Sequence, residues 1–437
     1  MKRLLSLVLM GVLFQADAEF DRRIDGPRMM DDWVLSVDDF GAVGDGVSDD
    51  TQAFKDAWLA ACSLQGTIFL EVPEGNKYMV GPINFGEHCT SNLTFNIQGT
   101  IVGPSDPSAW DGFDRQKWIY FHNLDNLRVT GGGTIDGMGD RWWHESCKIN
   151  KTNPCSHAPT SVIFHRCNNL KVQNLLFVNA QKMHVAFTSC SNVHANNLYV
   201  FSPEWSPNTD GIHISSSVSV SVENAIIRTG DDCISIVNGS SKVRVKNIVC
   251  GPGHGISIGS LGQSGAYADV NDVIVDGALM RNTDNGVRIK TWQGGDGFVR
   301  DVIFKNILMV NVSNPIIIDQ FYCDSNTPCR NQTTAVAISR ISFVNIKGTS
   351  ASREAVRFAC SETCPCQYIL VKNVRLLSEN DRWPPLCFCS NAYGVSSGWK
   401  NSPTCFGEDG KCIPTSSTFQ MFWSLLGFII HSSILQN

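Results

Sequence analysis

The sequence predicts an all-β fold, a parallel β-helix forming one solenoid domain, with a short helix capping its start. Three observations predict it. The first is a repeated string: Asp210-Gly211-Ile212-His213-Ile214, Asp232-Cys233-Ile234-Ser235-Ile236 and His254-Gly255-Ile256-Ser257-Ile258 begin 22 residues apart, and Asn285-Gly286-Val287-Arg288-Ile289 begins 31 further on. Each copy reads polar, small, apolar, polar, apolar, the period-2 signature of a strand. The second is a parallel row of Asn174, Asn197, Asn224, Asn247, Asn306, Asn345 and Asn373, each inside an apolar-x-apolar frame, with Gly277 in a missing slot. Asn at a recurrent bend satisfies backbone groups and tolerates strained angles, and stacked Asn side chains bond along the stack. The third is composition: the apolar runs are rich in Val and Ile and poor in long helical patterns. A β-propeller blade needs about 40 residues, so steps of 22 exclude it.

The elements follow in order. Residues 1–18 read as a secretory signal: Lys2-Arg3, an apolar run from Leu4 to Phe14, then Ala16-Asp17-Ala18. The remaining domain spans 19–415, with an N-terminal cap over about 34–65. There a Gly-rich turn leads through Ser48-Asp49-Asp50 into a helix from Thr51 to Cys62, with Ala53, Phe54, Ala57 and Trp58 on one face. The turn is rich in Asp and lacks a phosphate-loop Lys, so it plugs the solenoid's open end instead of holding phosphate. Residues 141–160, with Trp142-Trp143 and two Cys, read as an ordered loop over the early coils. A Cys-rich cap covers about 360–412, and 416–437 is a short apolar tail without the polar spacer of a lipid-anchor signal.

Apolar residues make up 43% and charged residues 17%, which places the chain among globular proteins. A net charge of −6 argues against nucleic acid as a partner. Seventeen cysteines fit an oxidising compartment, and their odd number leaves at least one unpaired. Sequons at Asn92, Asn150, Asn238, Asn311 and Asn331 suit a secreted glycoprotein. A secreted, extracellular monomer without stable membrane insertion is expected.

Neighbouring coils of such a solenoid lie roughly 4.8 Å apart. The repeat therefore stacks Asp210, Asp232 and His254 in one ladder, with Asp231 beside it. Crowded carboxylates repel one another and split their pKa values, which suits acid–base hydrolysis: one carboxyl gives a proton while another takes one from water. Three Asp and one His are also a cation-ligand set, but Arg288 and Lys290 follow on one face of a strand and speak against metal. They offer a grip for an anionic sugar.

The blocks Asn208-Thr209-Asp210, Gly230-Asp231-Asp232, Gly253-His254-Gly255 and Arg288-Ile289-Lys290 resemble, in order and without substitution, the signature of the polygalacturonases, glycoside hydrolase family 28. The likeness extends to Asp39-Phe40-Gly41-Ala42, Trp142-Trp143, Tyr322-Cys323 and Cys389-Ser390-Asn391-Ala392-Tyr393-Gly394, and resembles the plant branch. It implies a right-handed single-stranded parallel β-helix, of the pectin lyase-like kind. It implies hydrolysis of α-1,4-linked galacturonic acid in demethylated pectin, in cell walls, with inversion and no cofactor. By the same resemblance Asp231 is the proton donor, Asp210 and Asp232 activate water, and His254 tunes the acid. Asn208, Arg288 and Lys290 bind substrate. It also implies bridges Cys233–Cys250, Cys62–Cys89, Cys147–Cys155, Cys323–Cys329, Cys360–Cys366 and Cys389–Cys405, leaving Cys364, Cys387 and Cys412 as extras. The alternatives are a hydrolase of rhamnogalacturonan or xylogalacturonan, a non-catalytic β-helical pectin-binding protein, and a lyase. The first would show changes at His254 or the Arg288/Lys290 pair, the second would have little use for three clustered Asp, and the third would need an Arg or Lys as catalytic base, usually with Ca²⁺, and would give unsaturated products absorbing in the ultraviolet.

Overall fold

The computed structural model describes residues 32–413, apart from 87, 88, 90, 91, 326, 328, 380–383 and 399–402. The expected signal segment and apolar tail lie outside the described residues. Within them the chain is a parallel β-helix. One sheet has 18 strands and the other 11. Strands pair in parallel with those one coil away: Ile212 stands opposite Ile234, Ile234 opposite Ile256, and Ile256 opposite Val287. The repeat in the sequence is thus the repeat of the coil.

The larger sheet wraps two faces of each coil, and the Asn row is the corner between them. All seven residues lie at φ between 53 and 57°. This left-handed conformation is open to Asn at low cost. Their side chains bond along the corner: Asn197 Nδ2 donates to Asn174 Oδ1 at 2.9 Å, Asn247 to Asn224 at 3.1 Å and Asn345 to Asn306 at 3.1 Å. Gly277 takes the same turn at φ 81° but offers no amide. Asn306 accordingly turns to Asp276 Oδ1, at 2.6 Å.

Inward-facing Val, Ile and Phe fill the interior in stacks, such as Phe121 on Phe164 at 5.0 Å and Phe304 on Phe343 at 5.4 Å. The helix Thr51–Ser63 closes the first coil by burying Phe54, Ala57 and Trp58, with Trp58 4.6 Å from the Phe85 ring. Asp50 stands at its N-cap without a capping bond; its carboxylate instead accepts from Val43 and Gly44 N–H and ties down the Gly-rich turn. Residues 141–160 begin with a short helix, Asp140–His144.

Among the described residues seven disulfides form, and Cys167, Cys190 and Cys364 remain free. Five bridges match expectation, whereas the expected Cys389–Cys405 bridge is replaced by Cys387–Cys405 and Cys389–Cys412. The cause is a hairpin in the last described segment. Phe406 pairs antiparallel with Cys412, which carries Cys412 back to Cys389, while Cys405 is buried against Cys387. Two supposed extras are therefore structural. No helix among the described residues is long and apolar enough to cross a membrane.

Candidate active site

A cleft of about 460 Å³ lies on the outer face of the 11-stranded sheet. All seven residues expected from the sequence line it: Asn208, Asp210, Asp231, Asp232, His254, Arg288 and Lys290. They reach it in two ways. The first five sit on turns just before the strands Ile212–Ser215, Ile234–Ile236 and Ile256–Leu261. The two cations stand two residues apart on the outer face of Asn285–Thr291.

The turns are locked to each other. Thr209 Oγ1 accepts from Gly230 N–H at 3.0 Å, and a Cβ on Gly230 would lie 1.9 Å from the Ser206 carbonyl oxygen. Only glycine permits this approach, so Asp231 is carried tightly against the preceding coil. Below it, Cys233–Cys250 crosslinks the coil beside Asp232.

The expected single ladder is broken at one point. Cys233 N–H pairs with Gly255 O, one residue beyond the regular partner, and His254 N–H donates back to Asp231 O at 2.8 Å. Gly253 and Gly255, at φ 147 and 84°, shape the turn that carries His254. His254 therefore belongs to Asp231 and not to the Asp210–Asp232 stack: His254 Nδ1 lies 2.9 Å from Asp231 Oδ1.

The adjacent carboxylates consequently have opposite surroundings. Asp231 faces the imidazole, accepts from Asn208 Nδ2 at 3.2 Å and from Asp232 N–H at 2.8 Å, and keeps part of its side chain exposed. Asp232 is 2% exposed. Its Oδ1 accepts from Ser257 Oγ at 2.7 Å and Arg288 at 2.9 Å, and its Oδ2 from Lys290 Nζ at 3.0 Å. Both cations thus lie on Asp232. Lys290 Nζ is also 5.3 Å from the Tyr322 ring centre.

Protonation follows from these contacts. Burial pushes the Asp231 carboxyl up, but the His254 hydrogen bond and charge, helped by Lys290, outweigh it and bring its pKa to about 2. The Asp231 hydrogen bond raises His254 against the effect of burial. Burial raises Asp210 well above the carboxylate range, and the charges of Asp231 and Asp232 raise it further. Asp210 and His254 therefore keep their protons to higher pH than isolated groups would, while Asp231 loses its proton at lower pH. Burial lowers His213 and His184 to about 4, leaving both neutral.

Asp231, Asp232 and His254 are also the one group among the described residues whose donor atoms converge closely enough for a metal ion. The chemistry of the set does not fit one, because both Asp232 oxygens already hold cationic side chains that would repel a divalent ion.

Several participants carry no sequence signal of their own. His184 is buried behind Asp210 and bonds its carbonyl through Nδ1 at 3.0 Å, with Nε2 on Ser202 Oγ at 2.8 Å. Ser257 occupies the ordinary polar slot of the repeat yet holds Asp232. Lys148 and Asp324, from loops closed by Cys147–Cys155 and Cys323–Cys329, line the cleft and pair at 3.0 Å.

Residues 62–397 match the model of the glycosyl hydrolases of family 28. A probable polygalacturonase of Arabidopsis thaliana is 51% identical over 395 residues, covering 90% of this chain and 89% of the relative. A polygalacturonase of Persea americana is 50% identical over 368 residues, covering 84% and 79%. Among solved structures, an endo-xylogalacturonan hydrolase of Aspergillus tubingensis superposes with a TM-score of 0.70 at 25% identity, covering 84% of this chain and 100% of that one. A polygalacturonase of Erwinia carotovora, 21% identical, superposes at 0.68 over 86% and 99% and attests the fold.

Proposed function

The chain belongs to the glycosyl hydrolases of family 28, and on that premise we propose that it is a secreted polygalacturonase. It cleaves α-1,4-galacturonosidic bonds of demethylated pectin in the cell wall with inversion, as a monomer and without a cofactor. Exposed sequon residues Asn92, Asn150, Asn238 and Asn331 fit a secreted glycoprotein. The observation that carries the reading is the contrast between Asp231, paired with a titratable imidazole, and its neighbour Asp232, held by two fixed cations.

Asp231 is the proton donor. Substrate expels water from the cleft, which disfavours the separated charges of the Asp231–His254 pair. The proton then crosses the 2.9 Å from Nδ1 to Oδ1, and Asp231 passes it to the leaving oxygen. Asp232 takes a proton from the attacking water, which Asp210 orients; Arg288 and Lys290 hold Asp232 and draw in the substrate carboxylate. Asn208 positions Asp231 and the adjoining sugar. Inversion asks donor and base to act from opposite sides of the bond with a water between them; one oxygen each of Asp231 and Asp232 lies within 4.8 Å of the other in this structure, so the anomer released first is the deciding measurement.

The test incubates the protein with polygalacturonic acid and a chelator and follows reducing ends. Wild type releases them, Asp231→Asn does not, and NMR shows the β-anomer first. Folded, glycosylated protein that releases none would sink the proposal.

The raised Asp210 carboxyl favours a second assignment, with Asp210 as the acid and Asp231 as the base. An aryl galacturonide with a good leaving group separates the two. It restores turnover to whichever variant lacks the acid, Asp231→Asn under the first assignment and Asp210→Asn under the second.

A further inference from the structure

One large aromatic side chain beside the cleft belongs to no core. Trp205 is 48% exposed, although Trp is ordinarily well covered. It stands in the turn Ser202–Asn208, two residues before Pro207 and three before Asn208 of the cleft wall. That turn is the one packed against the catalytic turn: the Glu204 and Ser206 carbonyl oxygens on either side of Trp205 fill the space a Gly230 side chain would take, one residue before Asp231.

The ring is held rigidly. The buried Trp143 meets it edge to face at 5.4 Å and is anchored by its Nε1–H to Ala180 O at 3.0 Å; His144 meets it at 5.2 Å. Ser206 Oγ bonds Thr209 Oγ1 at 2.7 Å, which fixes the turn from below. A half-exposed aromatic with a fixed orientation pays little entropy on binding. At the rim of a polar cleft it offers an apolar face to a ligand with an apolar side.

We infer that Trp205 is a sugar-stacking platform, forming a subsite on the N-terminal flank of the cleft for a galacturonosyl unit one or two removed from the bond that is cut. The inference rests on the proposed function. A galacto-configured ring gathers C3–H, C4–H and C5–H on one face, an apolar patch of the size of an indole. A coil is about 4.8 Å thick, close to the length of one sugar unit. A chain running along the coils from Asp231 therefore passes Trp205 one coil away. The cations near the acids select the carboxylates, and Trp205 selects the ring that bears them.

The experiment compares Trp205→Ala and Trp205→Phe on polygalacturonate and on digalacturonate. The Ala variant is expected to raise KM for the polymer about tenfold with kcat within about a factor of two. The dimer, which offers only one unit on each side of the bond, is expected to change several-fold less than the polymer, and the Phe variant recovers most of the loss. An unchanged polymer KM, or a fall in kcat alone, overturns the inference. Binding is read separately by tryptophan fluorescence in Asp231→Asn protein titrated with hexagalacturonate. The change is expected to vanish in Asp231→Asn/Trp205→Phe, and its persistence there would also overturn the inference. If wild type releases no reducing ends, the hydrolase reading fails by itself, while the titration still decides the role of Trp205.

Discussion

Replacing Lys290 by Met removes one of the two cations on Asp232 while keeping most of the aliphatic stem. Lys290 Nζ lies 3.0 Å from Asp232 Oδ2, and the two side chains are 9% and 2% exposed. At an effective dielectric of about 20 that attraction is worth about 5 kcal/mol. Part of it returns, because a buried ammonium no longer has to be desolvated. Arg288 and Ser257 still hold Oδ1, so the carboxylate is not orphaned altogether. The net loss is about 3 kcal/mol, most of it from the bare Oδ2. Equilibrium unfolding in guanidinium measures it as a lower midpoint at unchanged slope. Asp232→Asn/Lys290→Met should regain about 2 kcal/mol relative to Lys290→Met, since a neutral amide needs no cation. A Lys290→Met protein within about 0.5 kcal/mol of wild type, or a double variant no more stable than the single one, would refute the reasoning.

Opening Cys233–Cys250 with a double Ser substitution frees a loop of 17 residues and should cost about 3 kcal/mol in the same assay. Gly230→Ala forces the Asp231 turn off the Ser206 carbonyl oxygen, and kcat should fall about a hundredfold with a smaller loss of stability; near-normal kcat would contradict the role given to that contact. His254→Gln tests the pairing by pH. The raised imidazole stabilises the fold below its unfolded value of 6.5 and loses that contribution as pH rises through its folded value. The lowered Asp231 stabilises above 3.8 and loses that contribution as pH falls toward about 2. The stability difference between wild type and His254→Gln should therefore peak between 3.8 and 6.5, and a difference flat across that window would exclude the ion pair.

The coil was legible because each turn solves the same packing problem. Ile212, Ile234 and Ile256 face one core, so their spacing in sequence is their stacking in space. The Asn corner was legible for a similar reason, since its conformation admits few residue types. Which carboxylate meets the imidazole was not legible. It depends on how the Gly253–Gly255 turn aims the imidazole at Asp231, and a repeat read as strictly periodic places His254 over Asp232. The C-terminal bridges escaped because two Cys on one strand offer equivalent partners until a hairpin chooses between them. Trp205 escaped because exposure is a property of the fold: in sequence it is one of 11 tryptophans.

Along the Asn corner, the steps from one coil to the next range from 23 to 39 residues, yet the strands on either side keep their register. The extra length leaves the stack as excursions, such as the one between Asn314–Asp319 and Ala337–Ser350 that carries Tyr322 and Asp324. Insertions and deletions there can reshape the mouth of the cleft without shifting the catalytic floor. Selection can therefore retune which polymers such an enzyme admits, and from which end, one excursion at a time, while the chemistry is inherited intact.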